Sequence, residues 1–221
     1  ASAHVRVLLE VDRQLYVGTR HGLFRREQNR FNPIASQAAH ALDIYGLAVT
    51  PAGQIMVATE VGLYRIHQER LEPDPRGRLL PEGAVFDVIA GPKGELWVYG
   101  SSWLGVLEGE TFTPIPLPQG MDLRTLILDQ EGGAWVGTRK GLYRATGNSV
   151  VEGPRNHPML SQAITCLYID RGRTLWVGTR KGAVGLKDRI VRVMAPETGF
   201  PSVQVRAIYD CLLYTSPSPR D

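Results

Sequence analysis

Five short segments put groups with binding chemistry at equivalent points of the chain: Arg20-His21, Glu60-Val61, Ser101-Ser102-Trp103, Arg139-Lys140 and Arg180-Lys181. Three of the five are basic. Cations brought from several places to one axis would focus a field that draws in an anionic ligand, a carboxylate or an acidic saccharide. Trp103 offers a flat face on which a sugar ring could stack. The candidate ligand contacts are therefore Arg20, His21, Glu60, Trp103, Arg139, Lys140, Arg180 and Lys181. Read only as turns, the same stretches are soluble loops with solvated charges.

Other chemistry finds little support in the residue spacing. His4, His21, His40, His67 and His157 show no i,i+2 or i,i+4 pairing, so no metal site is expected. Glu108 and Glu110 flank a turn glycine and read as solvated hairpin residues. No glycine-rich loop opens a helix, so nucleotide binding has no basis. No catalytic residue and no cofactor is assigned. Cys166 lies in an apolar stretch and reads as a small core residue. A net charge of +3 over 221 residues is too weak to make nucleic acid a partner. No stretch reaches the roughly 20 apolar residues that span a bilayer, and the first ten residues lack the basic start and apolar run of a signal peptide.

The elements that must carry these segments are set by an internal repeat. Leu15–Arg25 (LYVGTRHGLFR), Ala134–Arg144 (AWVGTRKGLYR) and Leu175–Leu186 (LWVGTRKGAVGL) are close copies, with looser ones at Ile55–Ile66 and Leu96–Leu107. The equivalent valines, Val17, Val57, Val98, Val136 and Val177, are 40, 41, 38 and 41 residues apart. Within a unit the apolar residues alternate, as in Ile164–Ile169, and polar or glycine turns interrupt them at Arg171-Gly172-Arg173, Arg180-Lys181-Gly182 and Asp188-Arg189. The pattern predicts four short antiparallel strands per unit. The 24 glycines and 15 prolines spread along the chain fit many turns rather than one linker. A four-stranded meander recurring every 40 or so residues predicts an all-β chain built as a β-propeller. The units fall at about 5–35, 42–73, 84–117, 123–153 and 163–194, with the first strand of a sixth at 203–210. Trp97, Trp135 and Trp176 recur at one register, which assigns them to packing between neighbouring units.

The stretch Asp129–Arg144, D-x-x-G-G-A-W-V-G-T-R-K-G-L-Y-R, resembles the two-component regulator propeller repeat, and Leu160–Asp170 is similar to the segment that precedes it in that family. The resemblance covers roughly residues 5 to 210. It implies a seven-bladed ring of which this chain holds five blades and the start of a sixth, on the periplasmic side of a membrane-anchored sensor with a histidine kinase or diguanylate cyclase output. It also implies a homodimer in the full-length receptor, and contact with the membrane only through segments not in this chain. Unit two departs from the repeat at Ala58 and Glu60, and unit three from Tyr99 to Trp103, which marks those units for local specialisation. Asp170–Trp176 is similar to the Asp-box of sialidase-type propellers, but it has an extra residue before Trp176 and lies between the first two strands.

Residues 211–221, CLLYTSPSPRD, resemble a translated sequencing adapter and are set aside as a non-native tail. An arc of blades cut from a ring is expected to stay open or to aggregate through its uncovered end blades. The functional expectation is an extracytoplasmic, non-catalytic, ligand-sensing domain. A protein-interaction platform ranks second, and a hydrolase or lyase on the same scaffold third.

Overall fold

The computed structural model describes residues 4–38, 40–187, 190–199 and 204–208. Its strands form five separate four-stranded sheets, each in simple sequence order. The first holds β1 (Val5–Val11), β2 (Gln14–Thr19), β3 (Gly22–Glu27) and β4 (Arg30–Pro33). The second holds β5 (Ile44–Val49), β6 (Ile55–Thr59), β7 (Gly62–His67) and β8 (Arg70–Pro73). The third comprises β9 (Asp87–Ala90), β10 (Leu96–Tyr99), β11 (Leu104–Glu108) and β12 (Thr111–Ile115). The fourth comprises β13 (Leu123–Leu128), β14 (Ala134–Thr138), β15 (Gly141–Thr146) and β16 (Ser149–Glu152). The fifth comprises β17 (Ile164–Ile169), β18 (Leu175–Thr179), β19 (Gly182–Lys187) and β20 (Ile190–Met194). Pairings within the five sheets are antiparallel, and the first strands touch in succession, β1 on β5, β5 on β9, β9 on β13 and β13 on β17. The architecture is the expected β-propeller, with the first strand of each blade innermost.

Alternation along each strand sends side chains to both neighbours. Trp97 and Tyr99 of β10 pack forward on Leu123, Leu126 and Val136 of the fourth blade, while Leu96 and Val98 pack backward on Met56, Ala58 and Leu63 of the second. Trp135 likewise faces the fifth blade, among Ile164, Leu175 and Val177. These two tryptophans fill the seams between blades. Trp176 has the same register but lies on the forward face of the fifth blade, half-buried over Gly185, with its indole N–H donating to Asp170 at 2.8 Å.

The recurring Thr-x-x-Gly closes the turn between second and third strands. The hydroxyls of Thr19, Thr59, Thr138 and Thr179 donate to the carbonyls of Gly22, Gly62, Gly141 and Gly182 at 2.8 to 3.0 Å. Each hydroxyl also accepts a backbone N–H two residues on, and the four glycines have φ between 112° and 135°, where a side chain would strain the backbone. The third blade departs as its sequence does. Gly100 stands in place of the threonine, its N–H donates to the Trp103 carbonyl, and a Cβ there would lie 2.3 Å from the Trp103 indole nitrogen.

Residues 204–208 form no ladder strand among the described residues, where the sequence predicts the start of a sixth blade. A strand needs a partner, and no second strand of that unit is described. The segment is nonetheless fixed at the expected place. The Val205 N–H donates to Thr179 at 3.0 Å, as Val85 does to Thr59 between the second and third blades, and the Thr165 hydroxyl donates to the Val205 carbonyl. Residues 203, 209 and 210, and the whole of 211–221, lie outside the described residues.

Seams this narrow leave room only for hydrogen at certain points. A Cβ on Gly137 would lie 2.6 Å from both Ile164 and Thr125, whereas one on Gly147 meets nothing within 4 Å. Gly137→Ala is expected to lower unfolding stability by about 1–3 kcal/mol through overpacking, and Gly147→Ala by no more than about 0.5 kcal/mol. Urea denaturation of the two variants beside the parent checks this, and equal effects would contradict close blade packing.

Candidate ligand-binding site

The innermost strands carry a bulge near their start. Ladder register shifts between Val5 and Val7, Ile44 and Gly46, Leu123 and Thr125, and Ile164 and Cys166. A bulge leaves one residue out of the pairing and re-aims its side chain. The residues left out are Arg6, Tyr45, Arg124 and Thr165, and Phe86 and Arg206 occupy the same step in the third blade and in the segment after the fifth. The wall of the central space thus receives one such side chain from each position around the arc.

Two adjoining cavities collect them. One of about 410 Å³ is lined by Arg124, Arg139, Ala163, Ile164, Thr165, Arg180, Gln204 and Arg206. The other, of about 640 Å³, is lined by Arg6, Tyr45, Phe86, Tyr99, Asp122, Leu123, Arg124 and Arg139. Both fall in the size range of small-molecule sites. Among the described residues they hold together five guanidinium groups against the single carboxylate of Asp122, in a chain whose whole net charge is +3. The charge that looks diffuse in composition is concentrated at one place.

The two cavities differ in kind. In the larger one, Tyr45, Phe86 and Tyr99 form an edge-to-face row with centroids 5.6 and 6.4 Å apart. Phe86 is 36% exposed, the largest apolar surface at the site. The Arg6 guanidinium lies 4.7 Å over the Tyr45 ring and donates to Asp43 at 2.8 Å. In the smaller cavity the arginines dominate. Asp122 lies 2.5 Å from Arg139 and 3.6 Å from Arg124. Arg180 and Arg206 have no ion pair among the described residues.

Of the eight contacts predicted from sequence, Arg139 and Arg180 line these cavities. The loops that carry them do meet the innermost strands. The backbone N–H groups of Arg20, Glu60 and Arg139 donate to His4, Asp43 and Asp122, each just before the first strand of its own blade. Arg20, His21, Lys140 and Lys181 are exposed and line neither cavity. Glu60 lies 3.4 Å from His40, with its other carboxylate oxygen buried and unpartnered. Trp103 packs edge-on to Phe112 at 5.8 Å and against the core between the second and third blades.

Sequence reasoning missed Arg6, Tyr45, Phe86, Arg124 and Arg206. The usable signal was a break in alternation. Core residues run Ile44 to Leu47, Val85 to Val88, Leu123 to Leu126 and Ile164 to Leu167, a step of three where a flat strand steps by two.

Acidic residues elsewhere hold turns. Asp170 accepts the Thr174 N–H and the Trp176 indole, and Asp129 accepts the N–H groups of Glu131 and Gly133 and the Arg144 guanidinium. For both, burial works against the charged form and the hydrogen bonds outweigh it, holding the carboxyls below their usual range. The Asp-box-like stretch is accordingly a turn clasp. Cys166 is half-buried against Gly178, and burial raises its thiol above the ordinary value.

No protein-family model matches this chain, and no curated protein matches it. Solved structures share its fold. The extracellular domain of BT4673 from B. thetaiotaomicron, described as a one-component system, superposes with a TM-score of 0.71 at 17% identity, over 91% of this chain and 29% of that one. A catalytically inactive histidine-to-alanine form of virginiamycin B lyase from Staphylococcus aureus, with quinupristin, gives 0.66 at 15% identity over 86% and 69%. The gluconolactonase XC5397 from Xanthomonas campestris gives 0.61 at 12% identity over 88% and 77%. The chain thus spans about three-tenths of the BT4673 domain. Likeness at these identities is a likeness of fold, on which sensors and enzymes both occur.

Asp87 sits beside the aromatic row, paired in register with Tyr99, and a Cβ on Gly46 would lie 2.2 Å from its carboxylate oxygen. Burial pushes its carboxyl from 3.8 up to about 7, opposed only by the Val88 N–H. A carboxyl with a raised folded value binds more protons folded than unfolded across that window, so stability declines as pH rises through it. The parent is expected to lose more melting temperature than Asp87→Asn between about pH 5 and about pH 8. Parallel thermal melts check this, and identical pH profiles would refute it.

Proposed function

We propose that this chain is the ligand-sensing part of an extracytoplasmic β-propeller in a membrane-anchored signal-transduction receptor, and that it binds an anionic saccharide or carboxylate on the wall of its central space without chemically changing it. The observation that carries the reading is the pair of adjoining cavities with five arginines, one carboxylate and an aromatic row. Guanidinium groups and aromatic faces bind oxyanions and rings, and burial raises the Tyr45 and Tyr99 phenols, which keeps them protonated at ordinary pH. The likeness to the extracellular domain of BT4673 supports the placement outside the cytoplasm. No helix among the described residues is long and apolar enough to cross a membrane. The membrane attachment, the output domain and the dimer belong to the full-length receptor.

The enzyme reading draws on the virginiamycin B lyase, which is inactive in its histidine variant. Here no histidine lines either cavity, and His40 is engaged with Glu60. Transmission would follow from a ligand that prefers one of two receptor arrangements.

A thermal-shift panel of uronates, other carboxylates, sulfated sugars and their neutral counterparts tests the proposal, followed by chromatography of any stabilising compound. The expected result is stabilisation by anionic members, lost in Arg124→Ala with Arg180→Ala, and recovery of the compound unaltered. Conversion of the compound to product, or equal stabilisation by neutral members, would overturn it.

A further inference from the structure

We infer that Asp122 is a built-in competitor for the ligand's anionic group, and that the oxyanion subsite proper lies at Arg180 and Arg206 with Arg124 and Arg139 as its gated half. The inference rests on the anion-binding reading of the site and adds how its affinity is set. Asp122 is the sole carboxylate lining the two cavities among the described residues, it is about half exposed, and it bridges Arg139 and Arg124. Those two arginines are also the residues shared by both cavities, so Asp122 occupies the point where an oxyanion joined to a ring would pass from the cationic to the aromatic side.

The other half of the subsite is preorganised. Arg206 is carried by a segment tied at Val205 to Thr179 and Thr165, and the Thr165 side chain and Gln204 line the same cavity. With Arg180 and Arg206 free of ion pairs among the described residues, a carboxylate, sulfate or phosphate meets two forks that need no release. To engage Arg124 and Arg139 as well, it must displace Asp122. The displaced carboxylate is near enough to water to be resolvated, so its ejection is cheap compared with breaking a buried pair. A neutral ring compound gains nothing from this exchange.

Inorganic sulfate and galacturonate serve as probes, with galactose as the neutral counterpart, titrated calorimetrically into the full chain at low ionic strength, where surface charge effects are least screened. Asp122→Asn is expected to bind sulfate and galacturonate roughly fivefold more tightly, with galactose unaffected. Asp122→Ala should repeat the gain if the asparagine amide itself interferes. Glu152→Gln removes one negative charge on an outer strand and should leave both affinities alone. Anion binding by the parent with no gain in either Asp122 variant would overturn the competitor role and leave the binding site standing. A gain of the same size in Glu152→Gln would also overturn it, as a net-charge effect. Failure of every form to bind either anion would remove the anion-binding reading itself.

Discussion

The narrowest points between blades govern the rest of this structure. Where the second strand of one blade meets the first strand of the next, Gly18 lies under Ile44, Gly137 under Ile164 and Gly178 under Cys166 and Val205, each too close for a methyl group. A sheet with two apolar faces cannot stand alone, because burial on one face leaves the other in water. Blades solve this by facing one another, and the convergence needed to bring innermost strands around one space makes the inner seam the tightest. The glycine of the Val-Gly-Thr stretch is therefore a radial spacer, while the tryptophan two residues before it fills the wider part of the same seam.

The second and third blades relax this rule, and the binding surface changes there. Ala58 and Tyr99 occupy the step that glycine holds elsewhere, and both are buried. Tyr99 is too large for a narrow seam, so it spreads toward the central space and builds the aromatic row with Phe86 and Tyr45. Asp87 is accommodated at the neighbouring step because Gly46 has no side chain to oppose it. A buried carboxyl and a buried phenol paired side by side in one blade weaken apolar packing, as functional surfaces often do.

The blade plan was legible because it is written in periods. The spacing of Val17, Val57, Val98, Val136 and Val177, with Thr-x-x-Gly turns following, fixes strand count and turn geometry from local chemistry alone. The site was half legible. Arg139 and Arg180 sit in turns that any meander places on one rim. Arg6, Arg124 and Arg206 lie inside strands, where alternation would assign them to a seam rather than to open space. The bulge that frees them depends on paired register between strands, which one strand's residues reveal only as a break in spacing. Trp103, an aromatic in a turn, looks like a ligand platform in the sequence. Its ring is instead drawn down beside Phe112 over Gly100, the residue that replaces the turn threonine.

The arginine wall has an electrostatic consequence for how the blades are held relative to one another. Like charges gathered in a partly enclosed space repel, and the fold offsets this unevenly. Arg6 has Asp43 and the Tyr45 ring, Arg139 has Asp122, and Arg180 and Arg206 have no ion pair among the described residues. An oxyanion entering between the fourth blade and the segment after the fifth relieves repulsion among groups that belong to different blades. Its binding energy is thus released only when those blades are held together, so affinity depends on the spacing between blades as well as on side-chain chemistry. Under the sensing role proposed above, a ligand of that kind would discriminate between arrangements of the blades, which is what passing a signal onward requires.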